Sequence, residues 1–512
     1  MSIDVVTRSD QRFEDLAHGR NPRFPETPSE AVSSIALCHN ANDVVEAVER
    51  FVRSGLRPTI RSGGHCYEGF VYSNPGGAVI DLRMMTASSR LPDRSGFLIE
   101  SGCQLGQIYK DLHEQANVTI PGGTCVSVGA GGHISGGGYG LLSRMYGLTC
   151  DWVSAVDIVT VNKMGKAMLR HVDSSHDADL FRACRGAGGG SFGIITGFYF
   201  DKLPTPPKEV MSGRISFDWS TMTEERFARI LFLYCNYWQT RGIDADTWGL
   251  FTIFNLSHRT SGHLGMSVQF CDRNGTCDDT RVLEEFFSTF DECRPISHAD
   301  GHSQSPVNDH LPASADSGQA VCMAQHAVTR RTWIDSTAGS AGGERRRKHK
   351  SAYMKQHFTP EQTRCIYKYL TSTFDKVDLS RATILLDSYG GAVNQPTLGR
   401  ETAIVQRSSV LKLQFIATWT DPKEDAAQQK WLDSFYTDVY SSSDTGERHK
   451  GTPYPSDRYE GCYINYPDVD MLRYSYWPQL YYGTGGLYSD LQNVKRHYDP
   501  NNVFHHALSV RP

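Results

Sequence analysis

Two side chains with nucleophilic chemistry each follow a pair of glycines. In RSGGH the pair precedes His65, with Arg61, Ser62, Gly63 and Gly64 before it, and in PGGTC a second pair precedes Cys125. Imidazole nitrogen and thiolate both add readily to electron-poor carbon. Glycine lets backbone amides approach a ligand closely, and successive glycines form a concave nest of donors suited to phosphate oxygens. Two longer clusters repeat the theme. GAGGHISGGGYG, residues 129–140, brings Gly131, Gly132, Gly136, Gly137 and Tyr139; GAGGGSFGI, residues 186–194, brings Gly190, Ser191, Gly193 and Ile194. Together they point to one extended, diphosphate-bearing cofactor. No complete G-x-G-x-x-G follows a strand, so the chain lacks the Rossmann fingerprint and holds any nucleotide in another way.

The elements that must position these residues alternate between helix and strand over residues 1–205. Asn42 or Asp43 is the expected cap of a helix with Val44, Val45, Val48, Phe51 and Val52 on one face and Gly55 at its end. Strands are expected at RPTIRSGGH, GGAVIDL and GFLIESG, then an amphipathic helix through Leu105, Ile108, Tyr109 and Leu112, and a hairpin around residues 162–165. A proline-rich joint, DKLPTPPKEV, then changes the texture. SGRISFDW, WGLFTIFNL, LGMSVQFC, ATILLDSYGGA and SVLKLQFIATW read as a mostly antiparallel sheet flanked by helices, one of them capped by Thr359 with Pro360 and Gln362 behind it. The expected class is α+β, with residues 1–205 and 456–512 as one domain and 206–455 as the other.

Bulk composition sets limits on partners. A chain of 512 residues is too long for one core. Its net charge of -5 gives no long-range attraction to nucleic acid or an anionic membrane. The one dense basic run, ERRRKHK at residues 344–350, reads as a solvated segment. The N-terminal residues lack the apolar core of a secretory signal, and there is no apolar run of membrane-spanning length. The 13 cysteines are scattered without a C-x-x-C pair, which suggests reduced thiols in a cytoplasm; no metal site is expected.

RSGGH, PGGTC, GAGGHISGGGYG, GAGGGSFGI, YINYPD and DPNNVF, in that order, resemble the vanillyl-alcohol-oxidase-type flavoproteins, and among them the berberine-bridge-enzyme-like oxidases. The resemblance implies a two-domain vanillyl-alcohol-oxidase/PCMH-type fold with FAD between the domains. It implies FAD tethered twice, by His65 to the 8α carbon and by Cys125 to ring carbon C6, with Cys66 as a rival thiol. It further implies hydride transfer from an alcohol or hemiacetal carbon of a bulky natural product or sugar to flavin N5, and reoxidation by O2 to give H2O2. The tyrosine of the N-Y motif, Tyr466 after Asn465, takes the role of base, with Tyr463 and Tyr139 as partners. Since free tyrosine titrates near pH 10, the site is expected to lower its pKa. Asp387, Tyr389, Gln414 and Trp419 are pocket candidates, with alternation putting Asp387 and Tyr389 on one face and Gln414 apart from them. Oxidative cyclisation or desaturation is the alternative reaction; it is disfavoured because no carboxylate base is obvious, and a non-catalytic binder is the third reading. The chain is expected to be a monomer or homodimer.

Overall fold

The computed structural model describes residues 3–93, 95–296, 319–323, 326–339, 341–395, 401–441 and 446–512. Three sheets organise it. The first contains β1 (Asp4–Thr7), β2 (Ser34–Leu37), β3 (Pro58–Arg61) and β4 (Ala78–Asp81), in the order β1-β2-β4-β3 with β2, β4 and β3 parallel. The helix Ala41–Arg53 makes the crossover from β2 to β3, burying Val44, Ala47, Val48 and Phe51. Its cap is Asn40, whose side chain accepts from the amides of Asn42 and Asp43, so the helix starts ahead of the expected caps.

The second sheet is antiparallel: β5 (Ser88–Arg90), β6 (Phe97–Glu100), β7 (Ala155–Val161), β8 (Ala167–Asp173) and β9 (Ile194–Phe200), in the order β5-β6-β9-β7-β8. The expected hairpin is β7–β8. The third and largest sheet contains β10 (Glu209–Asp218), β11 (Leu250–Ser257), β12 (His263–Phe270), β13 (Gln319–Met323), β14 (His326–Thr332), β15 (Arg346–Met354), β16 (Thr383–Ser388) and β17 (Leu411–Trp419). Its order is β13-β14-β10-β12-β11-β16-β17-β15, antiparallel throughout. The helices Glu224–Thr240, Pro360–Thr371 and Asp425–Val439 cover it, and Thr359 and Gln362 form the expected reciprocal cap.

The basic run is the main departure from expectation. Instead of a solvated segment, its residues 346–350 are the first half of β15, with Lys348, His349 and Lys350 all buried. Alternation sends Lys348 and Lys350 to one face and Arg347 and His349 to the other. The lysines survive burial because acids surround them. Lys348 Nζ lies 2.6 Å from Glu68 and 2.8 Å from Asp468; Lys350 Nζ lies 2.7 Å from both Asp468 and Asp470 and 3.0 Å from Asp433.

After β17 the chain returns to its first third. Tyr482 donates to the Ala187 carbonyl, Lys495 Nζ to the Ser191 carbonyl at 2.6 Å, and Tyr498 to Asp179 at 2.9 Å. No helix among the described residues is long and apolar enough to cross a membrane.

Candidate functional site

A long cavity of about 390 Å³ runs from the ends of β3 and β9 to the face of the third sheet. Residues 188–195, His505 and His506 line it toward one end and Arg347, His349, Asp387, Gln414, Tyr463 and Tyr466 toward the other, with residues 58–67 running between them as far as Tyr67, which stacks on His349. His65, Cys125, Arg61, Ser62, Gly63, Gly64, Gly131, Gly132, Tyr139, Gly190, Ser191, Gly193, Ile194 and Asn465 all reach its wall. Gly136 and Gly137 are not part of the wall. A Cβ on Gly136 would fall 2.0 Å from Asn465 Oδ1, and one on Gly137 3.2 Å from Ile404, so both make room for neighbouring side chains instead of a ligand.

The two nucleophiles converge. His65 Nε2 and Cys125 Sγ lie 2.8 and 3.6 Å from the same hydroxyl, Ser127 Oγ. Burial, with the charges of Arg20, Arg347 and Arg61, pushes the His65 pKa down to about 3, so the ring is neutral at ordinary pH. Burial pushes the Cys66 thiol up to about 11, which makes it a poor thiolate.

At the sheet end, Lys412 stands among aromatic rings. Its Nζ is 2.6 Å from Asp387 Oδ2 and donates to Tyr466 Oη at 3.2 Å, and it lies 4.5 Å over the Tyr466 ring and 4.7 Å over that of Tyr139. The pairing register explains the cluster, since Asp387 is opposite Lys412 and Leu385 opposite Gln414. Asp387 and Gln414 therefore share the cavity face, contrary to the expected separation. Tyr389 and Trp419 do not line it: Tyr389 donates to the Gln406 carbonyl, and Trp419 Nε1 to Asp425.

Tyr466 also corrects an expectation. Its pKa is raised well above 10, first by burial and then by the Asp387 charge, so the protein alone holds it as a phenol. Lys412 is the neighbouring cation the chemistry called for, but Asp387 offsets its charge. Asp387, one of the expected pocket candidates, does line the cavity, as a carboxylate paired with Lys412. The Tyr139 hydroxyl donates to the Ser388 carbonyl, and Asn465 Nδ2 donates to Tyr463 Oη at 3.2 Å and to the His133 carbonyl at 3.0 Å. The sequence reading missed Lys412, His349, Tyr67 and Ser127. A lone lysine in the apolar run LKLQF was the available signal for the first. His349 stacks on Tyr67 with ring centroids 3.6 Å apart and contacts Gln414 Nε2 through Nδ1 at 2.7 Å, but the surrounding arginines and lysines concealed it.

The cavity fits FAD. Arg61, whose Nη1 pairs with Asp81 Oδ1 at 3.3 Å, keeps its buried Nε–H without a hydrogen-bond partner among the described residues, one donor left for an anion. Beside it the loops meet backbone to backbone: a Cβ on Gly129 would fall 2.2 Å from Ser62 Oγ and 2.3 Å from the Gly63 amide nitrogen. An FAD-binding-domain model matches residues 32–166 and a berberine and berberine-like model matches 462–511. Across 99% of this chain and 89% of the relative, the sequence is 34% identical to aclacinomycin-N/aclacinomycin-A oxidase of Streptomyces galilaeus. It is 30% identical to hexose oxidase of Chondrus crispus over 98% of this chain and 94% of that protein. A glycopeptide hexose oxidase solved with teicoplanin superposes with a TM-score of 0.85 at 32% identity, covering 100% of this chain and 99% of the other. The fold and cavity are those of an FAD-dependent oxidoreductase with the vanillyl-alcohol-oxidase-type architecture. Within that class, the chain belongs to the berberine-bridge-enzyme-like oxidase family.

Proposed function

We propose that the protein oxidises an alcohol or hemiacetal carbon of a bulky natural product or sugar, with O2 as final acceptor and H2O2 as second product. The observation that carries this reading is the Tyr466 hydroxyl, held by Lys412 at 3.2 Å on the cavity wall, at the sheet end of a channel whose other walls carry His65 and Cys125. The relatives named for aclacinomycin and hexose support the substrate class.

His65 and Cys125 would tether FAD, while Arg61, Ser62, Gly63, Gly64 and residues 190–194 would surround its diphosphate. Bound FAD supplies the acceptor for the hydride that leaves the substrate carbon. The protein must manage the accompanying proton. Tyr466 is a base only as a phenolate, and Lys412 favours that form by donating to its oxygen and facing its ring. Tyr139 and Tyr463 pack around the same lysine and fix its direction. Gln414 and Arg347 offer polar groups to orient substrate hydroxyls.

The proposed domains remain 1–205 with 456–512, and 206–455. Supporting this, every strand of the third sheet comes from residues 209–419, and residues 482–498 pack on residues 177–191. The free thiols among the described cysteines support a cytoplasmic location.

Anaerobic titration of the purified protein with hydroxylated sugars, glycosylated polyketides and glycopeptides is the test. Bleaching of the oxidised flavin band by at least one is expected, with a product two hydrogens lighter and no new ring. Failure with every hydroxylated candidate, or formation of a cyclised product, would count against the reading.

A further inference from the structure

Ser127 lies behind the cavity wall, 3% exposed, and its hydroxyl meets three groups at once. It donates to the Ala341 carbonyl, on the segment between β14 and β15. It contacts His65 Nε2 at 2.8 Å and Cys125 Sγ at 3.6 Å. A serine hydroxyl has one proton and two lone pairs. A carbonyl can only accept, so the proton is committed to Ala341. The other two contacts must then be made by N–H and S–H donors into the serine lone pairs. For a neutral imidazole, a proton on Nε2 leaves Nδ1 with the free lone pair.

We propose that Ser127 is the positioning residue for covalent attachment of FAD: it fixes the His65 tautomer so that Nδ1 is the nucleophile, and it holds Cys125 beside the same station. This rests on the tethering assigned to His65 and Cys125 above. The His65 ring is free to act in this way because it is neutral at ordinary pH. Formation of the histidyl bond joins Nδ1 to the 8α carbon. The C–H proton of that carbon and the Nε2 proton are both lost, and the ring system of FAD is left reduced by two electrons. The cysteinyl bond likewise replaces S–H and the C6 hydrogen. Dioxygen accepts the two electrons and two protons of each event as H2O2, so each tether leaves an adduct two hydrogens lighter than the sum of protein and FAD.

The Ala341 contact adds a condition. Its carbonyl belongs to the segment that leads into β15, and the backbone of that same segment accepts from Arg20 through Ala341 and Gly342. Ser127 is therefore oriented only when this segment is seated against the cavity, so attachment is expected to follow folding of both parts of the site.

The test is intact-mass measurement and acid precipitation of the full-length protein in a Cys125→Ser background, where only the His65 tether remains. The parent is expected to keep flavin in the pellet at the mass of protein plus FAD less two hydrogens. Adding Ser127→Ala should slow attachment about tenfold or more, the effect of losing one hydrogen bond that selects a tautomer. Ser127→Thr, which retains the hydroxyl, should restore attachment to within about twofold. If Ser127→Ala attaches flavin at the parental rate, the role of Ser127 is wrong while the tethers stand; if the parent and wild type carry no covalent flavin, the tethering itself fails. Should Ser127→Ala not fold, Ser127→Gly, which also lacks the hydroxyl, takes its place with the same slowing expected and parental attachment overturning the proposal; attachment through Nε2 of His65 in the wild-type flavin peptide, read by NMR, would overturn it as well.

Discussion

Two buried lysine clusters lie on the same sheet, and they differ in what surrounds the charge. Lys412, on β17, has one carboxylate partner, Asp387, and otherwise faces the rings of Tyr139, Tyr463 and Tyr466 at the cavity. Lys348 and Lys350, on β15, share Glu68, Asp468, Asp470 and Asp433 on the side away from it. The first arrangement leaves cationic character directed at a titratable phenol. The second consumes its charge internally and joins the loop after His65, through Glu68, to the segment after Tyr466, through Asp468. One cluster is built to influence a ligand and the other to hold the walls around it.

The comparison is broken most directly at Asp468, which faces both lysines. Burial alone would raise its pKa, but Lys348 and Lys350 outweigh burial and hold it below the usual carboxylate range. Asp468→Asn should cost about 3–5 kcal/mol, because it leaves two buried ammonium groups short of a partner. Denaturant melts should show the loss. The depressed pKa sets the pH sense: the contribution of Asp468 is complete above the ordinary Asp range and lost as pH falls below about 4. Wild-type stability should therefore drop through that acid window, and the variant's less so.

Tyr466→Phe tests the other cluster. It should leave folding and flavin content intact while lowering kcat by about 10²–10⁴-fold, the range for removing a positioned acid–base group. Stopped-flow reduction of the flavin under anaerobic conditions isolates this step from reoxidation. An undiminished reduction rate would move the proton acceptor elsewhere, with Asp387 the first alternative.

Asp387→Asn sharpens the distinction between a charge that is used and one that is neutralised. The Tyr466 pKa is raised first by burial and next by Asp387, so removing the carboxylate charge favours the phenolate. Flavin reduction in wild type should rise with pH into the alkaline range. In the variant that limb should move to lower pH by roughly one pH unit, since a neighbouring opposite or like charge shifts a pKa by about that much or more. A shift to higher pH would show that Asp387 serves as part of the base.

The sequence revealed these two regions unequally, for physical reasons. Glycine turns are local signals: a backbone approach such as that between Gly63 and Gly129 forbids any side chain, so the motif marks the wall wherever it occurs. His65 and Cys125 were readable because they terminate such turns. The sheet face was not, because its chemistry comes from pairing between strands far apart in sequence. Lys412 and Asp387 become neighbours only through the β16–β17 register. The β15 run reads as solvent-facing until Glu68, Asp433, Asp468 and Asp470 are brought to it from three distant segments. Gly136 shows the opposite error, a glycine in a binding motif that in fact accommodates Asn465.

The smallest expected effect separates members of the β15 cluster from each other. Glu68 contacts Lys348 at 2.6 Å, as short as any pair there, yet burial raises its pKa more than Lys348 lowers it. A raised acid pKa means that ionised Glu68 opposes folding near neutral pH, and that this cost disappears as pH falls through its folded value. Glu68→Gln also leaves Lys348 with Asp468 at 2.8 Å and Asp470 at 3.4 Å. Its effect at neutral pH should therefore be within about 1 kcal/mol of wild type, with either sign, against several for Asp468→Asn. Paired denaturant melts at neutral and mildly acidic pH make the comparison. If Glu68→Gln proved as damaging as Asp468→Asn, the four acids would be acting as one unit, and the neutralised charge of this cluster would depend on every member instead of resting mainly on Asp468.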